Sequence, residues 1–591
     1  MKKFIFAITF ILGISASFAQ SEITGNVKDS DGVPIGGANI IIKGTTTGTT
    51  SDFDGNYSVS TDLSGQQVIR VSYIGYGTLE KSVTLSGGKT TLDFVLEESG
   101  QQLDEVLLTA TSTTRSQKES PLSVSSLGAK QLAKVNTSSQ ADVLVSVPGI
   151  TAEGGGGEVA SNIFVRGLPS GGQYQHNPLQ IDGMPVLSTF GLNSSAHDVY
   201  FRNDIGIKSL EFVRGGSSIL YGVGSVAGII NYTSVTGGVE QKTTVRTEIG
   251  SNSRYKADFL TSGPLGGEDS KTFYALSGFY RYDDGPIKTG LPTEGFQLRG
   301  NLKQITKNGS ITFSGQYIDD KVQFFLPYPL EGGSRERPTG NDGNTIYTLQ
   351  TADAANISYL TPNGVYESPI EDGVATKGGY FLTNFKHDFS DNLKMDAKLR
   401  YSKYQHQFNL FLDGSGVGGA KVVETQAEYL AARGLTTGDF TYLNGQPLAA
   451  NALLFENRIL DRSRPLTELM ADIKLTKTAG DHTITGGTFI SRSKAGDFNY
   501  ITNYLSEYNN SPELIELSGY SINGVTNRGT GYTNRNISSN KIAVFVADEI
   551  KLERWNLDFG VRYERASGDI ENEGSASYLV DNTGIANLDN V

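Results

Sequence analysis

Long alternating segments dominate the second half of the chain. Trp555, Leu557, Phe559, Val561 and Tyr563 share one face of an extended segment, and Asn556, Asp558, Gly560, Arg562 and Glu564 share the other. Leu393, Met395, Ala397, Leu399 and Tyr401 likewise oppose Lys394, Asp396, Lys398, Arg400 and Ser402, and Tyr255, Ala257 and Phe259 alternate with Arg254, Lys256 and Asp258. A period of two predicts strands. Segments of roughly ten residues, apolar on one face, charged on the other and tipped with Tyr and Phe, suit strands between lipid and a polar lumen. A soluble sandwich also alternates, but its strands are shorter and its polar face less charged. From Thr243 onward the pattern predicts about eleven strands. Turns after even-numbered strands are short: Thr306-Lys307-Asn308-Gly309, Ser390-Asp391-Asn392, Ala479-Gly480-Asp481 and Glu553-Arg554. Three connections after odd-numbered strands, Asp320–Lys377, Asp413–Arg464 and Gly496–Ser538, exceed ordinary loop lengths. Short turns on one rim and long loops on the other favour a membrane barrel. The first connections, near Ser251 and from Gly263 to Ser270, fit that rule less well.

Upstream, the period stays short and the turns come closer together. Lys2-Lys3, the apolar run Phe4 to Ile14 and Ser17-Phe18-Ala19 read as a secretory signal peptide (1–19) with cleavage after Ala19. Residues 20–97 alternate in Ile23-Gly25-Val27 and Ala38 to Ile42, with turns at Asp29-Ser30-Asp31-Gly32 and Asp52-Phe53-Asp54-Gly55. Seven short strands, a small β-sandwich, are predicted there. The Asp52/Asp54/Gly55 group lacks the remaining ligands of a calcium loop and reads as a turn. Residues 98–118 have linker composition, interrupted by Val106-Leu107-Leu108. Such a patch suits strand addition to another protein's sheet edge; periodicity does not separate this from a last sandwich strand or a first strand of the segment that follows.

Residues 119–238 read as a compact α/β segment. Ser139-Gln140-Ala141-Asp142 resembles a capped helix start, and Pro148-Gly149 stops that helix. The Gly154 to Gly157 loop lacks the helix start and Lys-Ser/Thr of a phosphate cradle. Ile163 to Gly167 and Gln180 to Val186 predict short strands, followed by Ile207 to Tyr232, read as strand, glycine turn, helical turn, glycine turn, strand.

Composition narrows the class further. The 591 residues include 71 Gly, 28 Tyr and 28 Phe against 1 Trp, which favours β structure. A net charge of −13 argues against a nucleic-acid partner. With 0 Cys there is no disulfide, thiolate metal site or cysteine nucleophile. After the leader no stretch approaches the ~18 uninterrupted apolar residues of a membrane helix, which leaves a membrane β-barrel open. No metal-ligand spacing of His and no nucleophile–base constellation is present, so neither a cofactor nor an enzymatic role is expected.

Two resemblances then appear. Gly25-x-Val27-x-Asp29, Gly32-x-Pro34, Gly37-Ala38, Gly44-Thr45, Gly48-Thr49 and Asp52-x-Asp54-Gly55-x-Tyr57 resemble the carboxypeptidase regulatory-like domain, a non-catalytic sandwich. Glu211, Arg214-Gly215, Tyr221-Gly222, Gly228, Ile230 and Asn231 fall on the closing pattern of the plug of TonB-dependent outer-membrane receptors. Phe164-Val165-Arg166-Gly167 resembles that family's central Arg-Gly strand, Ile181 to Pro185 its D-G-x-P turn, and Ala543 to Arg562 a recurrent barrel hairpin.

The resemblance implies a mainly β protein: N-terminal sandwich, small α/β plug and antiparallel transmembrane barrel (239–591). About half of a family barrel is present, and a fragment is expected. It implies outer-membrane localisation, a periplasmic sandwich, lipid around the barrel, the TonB complex and a bulky nutrient (siderophore, cobalamin or glycan) as partners, with a surface lipoprotein as a further one. Asp104, Glu105, Val106, Leu107, Leu108, Thr109 and Ala110 fall where the family carries its TonB box. Arg166, Glu211 and Arg214 are expected to make charge contacts between plug and barrel. Gln173, Tyr174, His176, Asn177, Phe190 and His197 are candidate substrate contacts on plug loops. A surface adhesin or glycan-binding protein, and a signal-transducing receptor, are the alternatives from other classes.

Overall fold

The computed structural model describes residues 21–587 except 30–31, 46, 74–75, 97–105, 108–114, 117–121, 136–138, 154–157, 159–161, 169–173, 175, 189–196, 216–217, 267–269, 288, 325–335, 338–347, 349, 362–363, 413–422, 553, 578 and 581–585. The predicted signal peptide and the Gly154–Gly157 loop lie outside the described residues. Two compact units form, the first ending at Leu108 with Thr113–Ser120 added, the second comprising the rest.

Among the described residues the first unit holds eight strands between Ser21 and Leu96, one more than the periodicity predicted. Ser21–Asp29, Asn56–Thr61, Gly88–Thr91 and Phe94–Leu96 form one sheet. Gly48–Thr50, Asn39–Ile42, Gly65–Ser72 and Leu79–Leu85 form the other. Three-residue strands such as Gly48–Thr50 are too short to leave an alternation in sequence. Ile23, Val27, Ile40, Ile42, Val59, Ile69, Val71 and Phe94 are buried in one cluster. Each removes roughly 1.5–3 kcal/mol of apolar side chain from water. Asp52 closes its loop as an Asx turn: Oδ1 accepts from the Asp54 N–H at 3.0 Å and the Asn56 N–H at 2.7 Å.

In the second unit, a five-stranded sheet runs in the order Ser123–Gly128, Ile207–Arg214, Gly228–Ser234, Leu179–Ile181, Met184–Pro185. Ile207–Arg214 is its second strand, flanked antiparallel on both sides, and Gly228–Ser234 is the central one. Helices Ala129–Val135 and Gln140–Val145 accompany it. The second begins after Ser139 as its residue types suggest, although the Ser139 side chain makes no cap hydrogen bond.

Eleven long antiparallel strands follow among the described residues, each paired with its neighbour in sequence. They are Lys242–Ile249, Tyr255–Pro264, Thr272–Asp283, Thr293–Thr306, Gly309–Val322, Val374–Ser390, Leu393–Phe408, Leu453–Ala479, His482–Glu507, Val525–Lys551 and Asn556–Ser577. The predicted alternation is observed. Cross-strand pairs such as Leu298–Tyr317, Phe381–Tyr401, Tyr401–Leu469, Ile490–Ile542, Val544–Tyr563 and Val546–Val561 put large apolar side chains on the exposed outer face. Their sequence neighbours Arg299, Arg400, Glu468 and Ser491 are buried on the inner face. The sheet is an open arc, its first and eleventh strands unpaired with one another among the described residues.

The long loops are shorter than the sequence suggested. The ninth and tenth strands remain paired through Phe498–Asn534 and Tyr500–Tyr532 to Tyr504–Val525, inside the stretch read as loop. Asn, Ser and Thr look loop-like, yet above the apolar band a strand needs no hydrophobic face to keep its ladder.

Candidate functional site: the plug and the lumen wall

The closing hairpin of the plug is built as its glycines imply. Strand Ile207–Arg214 leads to a helical turn Ser218–Tyr221, a 3₁₀ turn Val223–Ser225 and strand Gly228–Ser234. Gly228 has φ of 142°, and a Cβ there would lie 2.2 Å from the Val213 carbonyl oxygen, so only glycine lets the strands close.

Arg214 does not reach the barrel. Its Nε donates to the Pro148 carbonyl at 3.1 Å, Nη1 to Ser123 Oγ at 3.1 Å and Nη2 to Ser125 Oγ at 2.5 Å. It ties the plug's edge strand and the end of its helix to Ile207–Arg214. Burial first, and the nearby Arg166 second, lower the pKa of its guanidinium. Arg166 is exposed, with φ of 49°, at the end of Asn162–Val165. Glu211 is buried within the sheet, paired in register with Asn231 and Ser126. The expectation that Arg214 faces a barrel carboxylate is therefore corrected, its donors being spent inside the plug.

Other plug residues meet the wall. Arg202 donates from Nε to Asp320 Oδ2 of the fifth strand at 2.9 Å, and its backbone N–H bonds Gln297 Oε1 at 3.0 Å. Arg281 of the third strand donates to Asp320 at 2.9 and 2.8 Å and also bonds plug residue Glu158. Asp204 Oδ2 accepts from Gln297 Nε2 at 2.7 Å and lies 3.7 Å from Arg299. The Asp182-Gly183 turn is fixed from inside by Ser234, whose N–H and Oγ donate to Asp182 at 2.8 and 2.9 Å. From the wall, Lys398 donates to the Asp182 carbonyl at 3.1 Å, and Arg400 to that of Pro185 at 2.6 Å. Glu468 accepts from the Ser188 N–H at 3.1 Å, and Lys541 donates to the Ser188 carbonyl at 2.9 Å. Such pairs hold position because removing either partner strands a charge away from water.

The candidate substrate contacts divide. Gln173 and Phe190 lie outside the described residues. Tyr174, Asn177 and His197 are buried. The Tyr174 and His197 rings stack at 5.9 Å and, with Asp472, Lys541 and Arg562 of the wall, line an internal cavity of 120 Å³. Burial lowers the His197 pKa to about 4. His176 is half-buried, its carbonyl accepting from the Ala227 N–H at 2.9 Å. Upstream, Val106–Leu107 pairs antiparallel with Arg115–Ser116; the other residues proposed for the TonB box lie outside the described residues.

An α/β plug held by ion pairs against the inner face of an outward-apolar antiparallel sheet defines the class: a plugged β-barrel of the outer-membrane type. The carboxypeptidase regulatory-like domain matches residues 23–108, the TonB-dependent receptor plug domain 116–229 and the TonB-dependent receptor-like β-barrel 316–588. The chain belongs to the TonB-dependent receptors that carry an N-terminal carboxypeptidase regulatory-like domain.

The TonB-dependent receptor P39 of Formosa agariphila is 33% identical over 227 residues, 37% of this chain and 20% of that protein. The receptor SusC of Bacteroides thetaiotaomicron is 30% identical over 233 residues, 38% of this chain and 22% of that protein. A third, receptor P3 of Formosa agariphila, is 24% identical over 493 residues, 72% of this chain and 46% of that protein. The chain thus spans less than half the length of these relatives. Among solved structures, the pyoverdine receptor FpvA of Pseudomonas aeruginosa aligns with a TM-score of 0.54 at 16% identity, covering 81% of this chain and 63% of that one. The ferric-catecholate receptor Fiu of E. coli gives 0.54 at 14%, covering 78% and 61%. These two likenesses concern the fold.

Proposed function

We infer that the protein is an outer-membrane receptor that imports a bulky nutrient, a siderophore, cobalamin or glycan, with energy delivered by the TonB complex. The observation that carries this reading is the plug seated by buried ion pairs against a wall that is apolar outside. Cargo cannot pass while those pairs hold, so transport requires work on the plug. An extended segment upstream of the plug, Asp104 to Ala110, is where that work enters: main-chain pairing with TonB transmits a pull along the backbone. The sandwich then lies in the periplasm, and the connections after the odd-numbered strands face outside, where cargo is first met. Relatives whose names state a cargo include a vitamin B12 transporter and hemin receptors, which leaves the cargo of this chain open between classes.

The test is deletion of Val106 to Ala110 in the whole protein. Energised uptake falls to background while surface binding of cargo persists; uptake at the original rate would overturn the reading.

A further inference from the structure

The outer wall carries a feature that plug and lumen leave unexplained. Pro465 in the eighth strand has no N–H to donate, and the ladder with the ninth strand lapses there, Ser463 pairing Phe498 and Leu466 pairing Ala495 with no pair between. Gly496 lies against the Pro465 ring, and Gly378 in the sixth strand adopts φ of 133°. A cavity of 1010 Å³ lies at this irregularity. Most of its lining shares the outer face of the wall with the exposed Phe381 and Tyr401, and this face brings Lys377, Lys403 and Lys494.

The register places these groups relative to the apolar band. One cross-strand row reads Lys403–Thr467–Lys494–Ser538. The row below it reads Phe381–Tyr401–Leu469–Arg492, with Ile490–Ile542 in the next. Three rows above the lysines, Tyr500 is covered by the segment after Thr351: the Tyr366 ring packs against it, tilted, at 4.9 Å, and the Tyr359 hydroxyl lies 2.6 Å from Thr502 Oγ1. Rows on one face are two residues, about 6.8 Å, apart. The lysine row therefore stands one step above the apolar band, within the headgroup layer of about 5–8 Å that flanks a bilayer core. Lys403 and Lys494 are two strands apart, about 9.5 Å between Cα atoms, a gap that two lysine arms close around one phosphate. Asp319 holds Lys377 at 2.9 Å, and Asp569 and Glu571 line the far edge of the cavity. Among the described residues, Lys403, Lys494 and Arg492 make no ion pair with a carboxylate.

We propose that this shelf binds the phosphate of a lipid headgroup from the leaflet around the barrel. Lys403 and Lys494 supply the ammonium groups, the Thr467 hydroxyl stands between them, and acyl chains lie along Phe381, Tyr401 and Leu469.

The proposal rests on the membrane-barrel reading, so the experiment separates the two. The whole protein is extracted from outer membranes in mild detergent, and retained lipid is measured by native mass spectrometry. Wild type retains phosphate-bearing lipid. Lys403→Gln/Lys494→Gln retains at least tenfold less, each single variant is intermediate, and Lys477→Gln, on the same face near the opposite rim, matches wild type. Retention unchanged in inserted variants overturns the proposal alone, as does retention of inorganic phosphate without lipid. Wild type missing from the membrane fraction overturns the barrel reading and the proposal together. If the double variant fails to insert, the single variants decide, equal retention counting against the shelf.

Discussion

Asp319 and Asp320 are neighbours in the fifth strand and face opposite solvents. Asp319 points outward and meets Lys377 at 2.9 Å, with side chains 40% and 63% exposed. Asp320 points into the lumen and meets Arg202 at 2.9 Å and Arg281 at 2.8 Å, none of the three more than 4% exposed. The distances are alike, but the consequences are not. An exposed pair exchanges one good environment for another, whereas a buried pair prevents a large desolvation penalty from being felt. The wall's strength as a seat for the plug lies in where its charges face rather than in how many there are.

The strongest way to break that comparison is Asp320→Asn. It leaves the Arg202 and Arg281 guanidiniums facing a neutral amide, with Glu158 as the remaining carboxylate on Arg281. Seating of the plug loses about 3–5 kcal/mol. Limited proteolysis of the inserted protein reads this as cleavage of the Leu187–Asp204 region at lower urea than in wild type. An unchanged urea midpoint would show that water reaches the pair. The next effect comes from the other face. Ile473→Lys sets an ammonium in the apolar band and costs about 2–4 kcal/mol near the bilayer midplane, while Thr476→Lys, facing the lumen, costs far less. Refolding into lipid vesicles with both variants measures the difference; equal costs would mean that the faces are assigned the wrong way round.

This inside–outside division was legible in the sequence because a strand's period of two survives any curvature of the sheet. The closing plug hairpin was legible too, since Gly228 and its neighbours are demanded by backbone contact within one short stretch. The seat itself was not. Arg202 and Asp320 lie 118 residues apart, and Arg202 sits in a polar loop whose composition says nothing about burial. Arg166 and Arg214 stand on the conspicuous strands and attracted the role, but Arg214 spends its donors on Pro148, Ser123 and Ser125. The burial of Tyr174 and His197 was hidden for the same reason as that of Arg202: polar aromatic residues look like a binding loop whether they face water or a wall. Eight sandwich strands appeared as seven because a three-residue strand has no period to read.

His197 extends the comparison to a group that titrates. Burial holds its folded pKa at about 4, against about 6.5 for an unperturbed histidine. Below pH 6.5 the unfolded plug binds a proton that the folded plug refuses, so stability falls as pH drops, and the fall ends near pH 4. Between pH 7 and pH 5 this contributes a loss of about 2 kcal/mol. Hydrogen exchange of plug amides at the two pH values measures it, with His197→Gln as the reference that lacks the slope. Equal slopes in both proteins would mean that water enters the cavity between Tyr174 and Lys541 and hydrates the ring.

The smallest expected effect on stability is that of Asp319→Asn, and for that reason it is the sharpest test of the opening contrast. Lys377 lies in a well-solvated position, where its charge needs no partner, so the urea midpoint should stay within the error of the wild type. The same substitution has a second consequence on the outer wall. Asp319 occupies the ammonium group of Lys377, one row above Lys403 and Lys494 at the edge of the lipid shelf. Removing that carboxylate adds a third available cation and removes a negative charge that repels a phosphate. Lipid retention should therefore rise at least twofold while stability stays constant, the opposite of what Asp320→Asn does one residue away. A fall in stability would place Asp319 among the pairs that hold the wall. Retention unchanged at constant stability would confine the shelf to Lys403 and Lys494.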